Sequence, residues 1–331
     1  MAKLLSPLKI GKLQLKNRLV LPPMATDKAD TDGYITNALL DYYDEKTKGG
    51  MIQLVIVEHN YVTLQGKGSP HQASMADDGA IEGYRKLSDL IHKNGSKAAV
   101  QLNHGGAAAW DGTGFPVIAP SAVEHPWKKN SLPETLIIEQ IQTIVKDFRD
   151  AAVRVQKAGF DAVEIHSAHS YLLNQFYSPL ANKRTDTYGG DLEKRLRIHC
   201  EIIQAVREAT GPEFTILMRL GACDYIDGGN TIEDGVKAAK IVVSAGVDIL
   251  DISGGMCASA NPYSKEPGYF SDSTTAIKNA VDVPVILTGG IVTAIQAEEL
   301  MQKGAADLIG VGRAILDDSK WAEKEIPTLD H

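Results

Sequence analysis

Eight short apolar runs recur along the chain with helix-like stretches between them, and this alternation narrows the fold more than anything else. The runs are Leu19–Leu21, Ile52–Glu58, Ala98–Leu102, Ala162–His166, Thr215–Leu220, Asp248–Ser253, Val283–Thr288 and Leu308–Val311. Between them lie Ala80–Asn94, Ile137–Ala158, Asp191–Thr210, Ile232–Ala245, Asp272–Ala280 and Ala294–Lys303, with a last helix after Gly312. Four of the helical runs stop at Asn94-Gly95, Ala158-Gly159, Ala245-Gly246 and Lys303-Gly304, where glycine suits the left-handed residue that follows a last turn. Strands this apolar are covered on both faces, and strict alternation with helices makes the sheet parallel. Eight repeats in 331 residues favour an α/β fold closed into a (β/α)8 TIM barrel over an open doubly wound sheet. The turn after the first strand also reads Pro22-Pro23-Met24, without the GxGxxG that an open sheet would favour.

Two further segments have a place in that plan. Leu5–Lys16, with hairpin chemistry at Ile10-Gly11-Lys12-Leu13, is expected to plug the bottom of the barrel. Asn103–Pro133, rich in Gly and Pro after the third strand, is long enough to be a lid over the site. No boundary divides residues 1–331, so one domain is expected. The formal charge of −8 argues against a nucleic-acid or anionic-membrane surface, though not against a local phosphate pocket. Cys200, Cys223 and Cys257 are odd in number and without a CxxC, as in a reducing compartment with no zinc or iron–sulfur site. No apolar leader opens the chain, and no apolar run reaches the ~18 residues of a membrane span. A cytoplasmic location is expected.

In a barrel of this kind chemistry sits at the C-terminal strand ends. Those ends collect Pro23-Met24-Ala25-Thr26, Glu58-His59, Gln101, His166, His169, Tyr171, Arg219, Ser253-Gly254, Gly289-Gly290 and Gly312-Arg313. The glycine pairs after the seventh and eighth strands let backbone N–H groups approach a phosphate, and Arg313 adds a full positive charge. Together they favour phosphate binding over plain turns, whether the phosphate belongs to a cofactor or to a substrate. His166 and His169 admit three readings: satisfied buried imidazoles, metal ligands, or N–H donors to an oxygen that gains negative charge. No third ligand stands at suitable spacing for a metal. Beside such donors Tyr171 suits a proton donor, because a phenol with a pKa of ~10 stays protonated at neutral pH. Arg219 is either a rim salt bridge or the counter-charge of a bound anion. At about 4 Å and an effective dielectric near 20, a unit charge is worth about 4 kcal/mol. For a two-electron group that equals roughly 90 mV. Cys223 and Cys257 have no basic neighbour in sequence and receive no role.

The ordered motifs resemble the old yellow enzyme family of FMN-dependent NADH:flavin oxidoreductases. The resemblance rests on Asn17–Met24, Gln101–Gly106, Ala119–Ala122, His166–Leu172 and Ser178–Asp186 followed by Tyr188-Gly189-Gly190, and runs to about residue 320. It implies a noncovalent FMN with Pro23, Met24 and Ala25 along one side of the ring, and Thr26 beside them in the cofactor set. His59 and Gln101 would lie near its pyrimidine edge, and Arg219 beside N1. Ser253, Gly254, Gly289, Gly290, Gly312 and Arg313 complete the implied cofactor set. His166 and His169 would hold the carbonyl oxygen of an activated alkene, and Tyr171 would protonate its Cα. NADH or NADPH would reduce the flavin before the alkene enters, in a ping-pong cycle. A homo-oligomer stays open. This chain departs from the family in four places. Ala25 stands where relatives carry Thr or Cys, and Ala107 where Arg is frequent. No arginine follows Trp321, and no cysteine-bearing extension follows it, which makes single-domain members the expected comparison. The rival reading is a non-redox barrel gripping a phosphorylated metabolite, and a yellow colour would exclude it.

Overall fold

The computed structural model describes residues 2–128 and 132–330, so part of the expected lid, 129–131, lies outside the described residues. At the start, β1 (Leu8–Ile10) and β2 (Leu13–Leu15) form an antiparallel hairpin. Next come β3 (Leu19–Leu21), helix α1 (Asn37–Thr47), β4 (Leu54–Tyr61), α2 (Ala80–Lys93) and β5 (Lys97–Asn103). The long loop holds two short 3-10 turns (Gly106–Ala108 and Asp111–Thr113) and β6 (Ile118–Ala119), which pairs in parallel with β7 (Glu134–Thr135). After it follow α3 (Ile138–Lys157), β8 (Ala162–Ser167), α4 (Leu172–Tyr177), α5 (Leu192–Arg195), α6 (Arg197–Thr210) and β9 (Thr215–Cys223). The chain continues through α7 (Ile232–Ala245), β10 (Ile249–Gly254), α8 (Ser271–Lys278), β11 (Val285–Thr288), α9 (Ala294–Gln302), β12 (Leu308–Gly310), α10 (Arg313–Asp317) and α11 (Trp321–Glu325). The eight expected strands close in parallel as β3-β4-β5-β8-β9-β10-β11-β12.

Inside the barrel the period of two along each strand builds layers. Val20, Leu54, Ile56, Ala99, Ala162, Leu217, Ile249, Ile286 and Leu308 form a closed apolar core, and Leu13 and Leu15 of the hairpin join it from below. The hairpin therefore is the expected plug. Two residues further along four of these strands stand Gln101, Glu164, Arg219 and Asp251, all buried, so the filling turns polar toward the C-terminal end.

A repeated device locks the opposite end. Asp161, Asp248 and Asp307 each precede a strand, and each accepts a hydrogen bond from a backbone N–H in the first two residues of the neighbouring strand: Ala98 (2.9 Å), Ile216 (2.8 Å) and Val285 (3.1 Å). A cation completes each site: Lys97 on Asp161 at 2.7 Å, Arg207 on Asp248 at 2.6 Å, and Lys278 on Asp307. Helix ends follow their sequence signals. Gly95, Gly159, Gly246 and Gly304 take positive φ, and Thr231 and Thr293 cap α7 and α9. The helix expected over Asp191–Thr210 breaks at Leu196, while α1 and α4 were not foreseen. Among the described residues no helix is long and apolar enough to cross a membrane.

Candidate active site

A cavity of about 710 Å³ opens at the C-terminal end of the barrel, within the ~300–1,000 Å³ usual for ligand pockets. Pro22 to Ala25 after β3, His59 of β4, Gln101 of β5, His166 of β8 and Arg219 of β9 line one part of it. Gly289 and Gly290 after β11, with Gly312 and Arg313 after β12, line another.

His166 faces inward, and the next turn returns the chain over it. His169 and Ser170 both take left-handed backbone angles, φ +58° and +59°. In a non-glycine residue each costs on the order of 1–3 kcal/mol. Buried hydrogen bonds over-determine the turn. Ser170 N–H donates to Asn174 Oδ1 (2.8 Å), Gln175 Nε2 donates to the Ser170 carbonyl (2.6 Å), and His169 N–H donates to the Gly254 carbonyl (3.2 Å). The result is a cluster of rings. His166 lies 5.0 Å from His169 and 5.1 Å from Tyr171, centroid to centroid, and Tyr171 lies 5.5 Å from His59.

Protonation follows from burial. Desolvation holds His166 and His169 well below the usual imidazole range; the neighbouring His169 adds to this for His166, and the charge of Arg219 for both. Both are therefore neutral at physiological pH. Desolvation pushes the Tyr171 phenol up, so it keeps its proton. His59 is lowered to about 4 by burial. Its Nδ1 accepts from the amides of Gln72 (3.1 Å) and Asn103 (3.2 Å), which leaves Nε2 as the protonated nitrogen. His169 Nε2 is engaged by Ser253 Oγ at 2.7 Å, so Nδ1 is the nitrogen left for a ligand.

Ser253, Gly254 and Thr26, expected at the cofactor, lie outside the cavity lining. Ser253 and Gly254 instead hold His169, and Thr26 N–H donates to Glu58 Oε2 at 3.0 Å. Sequence reading missed Tyr269 and Lys265, which line the cavity from the loop after β10. Tyr269 accepts a bond from Arg313 Nη2 (3.2 Å), and a Cβ on Gly289 or Gly290 would stand 2.8 or 3.0 Å from its ring. A tyrosine preceded by Pro and Gly in a loop beyond a strand end was the available signal.

Residues 3–328 match the model of the NADH:flavin oxidoreductase / NADH oxidase family. The chain belongs to that family. It is 40% identical over 322 residues to an NADPH dehydrogenase of Halalkalibacterium halodurans, covering 96% of this chain and 92% of that one. To an NADH oxidase of Thermoanaerobacter brockii it is 38% identical over 324 residues, 96% of this chain but 49% of the relative, so it spans about half that protein's length. A relative of about this chain's length and one about twice as long thus match at nearly equal identity. Morphinone reductase in complex with tetrahydroNAD superposes with a TM-score of 0.84 at 25% identity, over 97% of this chain and 89% of that one.

FMN is the family's flavin, and the cavity suits it. Thr288 Oγ1, Arg219 Nε and His166 Nδ1 are buried at its wall without a hydrogen-bond partner among the described residues. Gly310 and Gly312 leave the backbone bare where a Cβ would overlap Thr288 Oγ1 and stand 2.9 Å from Met24 Sδ. Donors for an anion, an arginine and side-chain-free backbone are what a phosphate tail and a flat ring require.

Proposed function

We propose that this chain reduces C=C bonds conjugated to carbonyl or nitro groups, using NADH or NADPH and a noncovalent FMN. The observation that carries the reading is the convergence of three neutral, proton-bearing groups, His166, His169 and Tyr171, on one cavity wall. Bound FMN supplies hydride acceptance from the nicotinamide and hydride donation to the alkene.

The protein's part is to polarise, orient and protonate. His166 and His169 each give one N–H to the substrate oxygen, stabilising the charge that develops there as Cβ accepts hydride. Because both stay neutral, they polarise that oxygen without surrendering a proton to it. With Nδ1–H toward the ligand, His169 Nε2 is the acceptor of its 2.7 Å bond to the Ser253 hydroxyl. Tyr171, at the start of α4, delivers the phenolic proton to Cα. Gly289, Gly290, Gly312 and Arg313 would hold the phosphate, and Pro23, Met24, Ala25, His59, Gln101 and Arg219 the ring. Ala25 offers no side-chain hydrogen bond to it.

Anaerobic stopped-flow spectroscopy tests the reading. Addition of NADH or NADPH should bleach the flavin, and an enone, enal or nitroalkene should restore its absorbance. A flavin that bleaches but is reoxidised by no activated alkene would remove the ene-reductase function and leave only nicotinamide oxidation.

A further inference from the structure

Beneath the cavity the barrel buries two carboxyls that the steps above do not use. Glu164 of β8 and Asp251 of β10 are both 0% exposed, and Arg219 of β9 lies between their strands, facing the cavity above. Arg219 Nε stands 3.4 Å from Asp251 Oδ2. Gln101 Nε2 donates to Glu164 Oε2 at 2.6 Å. Glu164 Oε1 and both Asp251 oxygens have no hydrogen-bond partner among the described residues.

Among the described residues the surrounding strands supply no second cation. β4 brings Glu58, whose carboxyl accepts from the Thr26 N–H; β5 brings Gln101; β8 brings Glu164 and His166; β9 brings Arg219; β10 brings Asp251 and Ser253. His59, His169 and Tyr171 stand at the cavity wall, the imidazoles neutral and the phenol protonated. β3, β11 and β12 contribute Val20, Ile286, Thr288, Leu308 and Gly310, none of which titrates. Two ionised carboxylates against one guanidinium would leave a net negative charge inside a closed barrel. One shared proton makes the layer neutral. Burial pushes both carboxyls up, and the charge of Asp251 pushes Glu164 further.

We propose that the Glu164–Asp251 pair is a redox-linked proton store, holding one proton while the flavin above is oxidised and two while it is reduced. The inference rests on the flavin reading of the cavity. Two electrons and one proton arriving as hydride from the nicotinamide leave one added negative charge above Arg219. The guanidinium can no longer neutralise both that charge and the remaining carboxylate. A proton from water then adds to a free carboxylate oxygen of the pair, and the layer is neutral again. Reoxidation by the alkene returns the proton to solvent. Glu164 and Asp251 are positioning residues for charge: they touch neither substrate nor ring.

The midpoint potential of the bound flavin, measured by spectroelectrochemistry on the holoenzyme between about pH 6 and pH 8, reads this directly. Each proton taken up per two electrons shifts the potential by about 30 mV for a tenfold change in proton activity. The wild-type protein should fall by about 59 mV per pH unit, and the double variant Glu164→Gln, Asp251→Asn by about 30 mV with a higher potential throughout. A shallow wild-type slope overturns the proposal, as does a steep slope that survives in the double variant, because the second proton then sits on the flavin. Should the variant fail to fold, the reduced-minus-oxidised infrared difference of the wild type must gain a protonated-carboxyl band, and its absence is equally fatal. A purified protein without flavin, or a flavin that nicotinamide never bleaches, would instead sink the functional reading.

Discussion

Tyr171 serves the proposed chemistry because burial keeps its phenol protonated. Tyr171→Phe should slow reoxidation of the reduced protein by an enone about 10²–10⁴-fold. Reduction by NADPH should change little, and stopped-flow measurement of both half-reactions checks this; equal slowing of both would remove the proton-donor role. Glu58 carries a pH signature close by. Its carboxyl, bonded to the Thr26 N–H, is raised by burial from 4.5 to about 7. The folded state therefore holds a proton that the unfolded chain releases, and stability is lost as pH rises from about 4.5 to about 7. Glu58→Gln cannot titrate, so its stability gain over wild type should grow across that window in urea melts; a gain independent of pH would contradict the raised value. At this scale the sequence revealed residue types but not partners. That Ser253 holds His169, and that two amides fix the tautomer of His59, depends on chain segments far apart in sequence.

Each of three strand entries is tied to its neighbour by an aspartate, and Asp161 is the most buried of them, with 17% of its side chain exposed. Burial alone would raise its carboxyl, but His92, Lys97 and the Ala98 N–H hold it below the usual carboxylate range. Such stability is present at neutral pH and lost as pH falls through the folded value. Asp161→Ala should cost about 1–3 kcal/mol at pH 7, by leaving the Ala98 N–H unpaired. The deficit should shrink in acid, and chemical denaturation at two pH values measures it. The β-strands were legible because burial on both faces left unbroken apolar runs. Two helices were not. In α1 the stripe of Leu39, Tyr42, Tyr43, Lys46 and Thr47 is half polar, so its period is easily overlooked. All six residues of α4 are buried, and a short segment without an exposed face carries no helical period. The break at Leu196 likewise left no mark, because Leu192, Leu196 and Ile203 keep helical spacing across it.

Across the whole molecule the cavity joins residues from β3 through the loop after β12, so a ligand that fills it ties the N-terminal and C-terminal strands together. FMN added to the flavin-free protein at about 100 times its Kd should raise folding stability by about 2.7 kcal/mol, provided the unfolded chain does not bind it. Thermal melts at increasing FMN concentration give the measurement; an unchanged Tm would mean the cavity does not hold the flavin. Arg313→Ala should weaken that rise, since it removes the charge beside Gly289 and Gly290.

The alternation of apolar and amphipathic segments is local, and from it alone follow the eight strands, the plugging hairpin, the glycine-ended helices and the candidate residues at the strand ends. Closure is not local. Only the register of β5, β8, β9 and β10 sets Gln101, Glu164, Arg219 and Asp251 in one sealed layer. Burial strips most of the solvent screening from their charges, which must then balance one another.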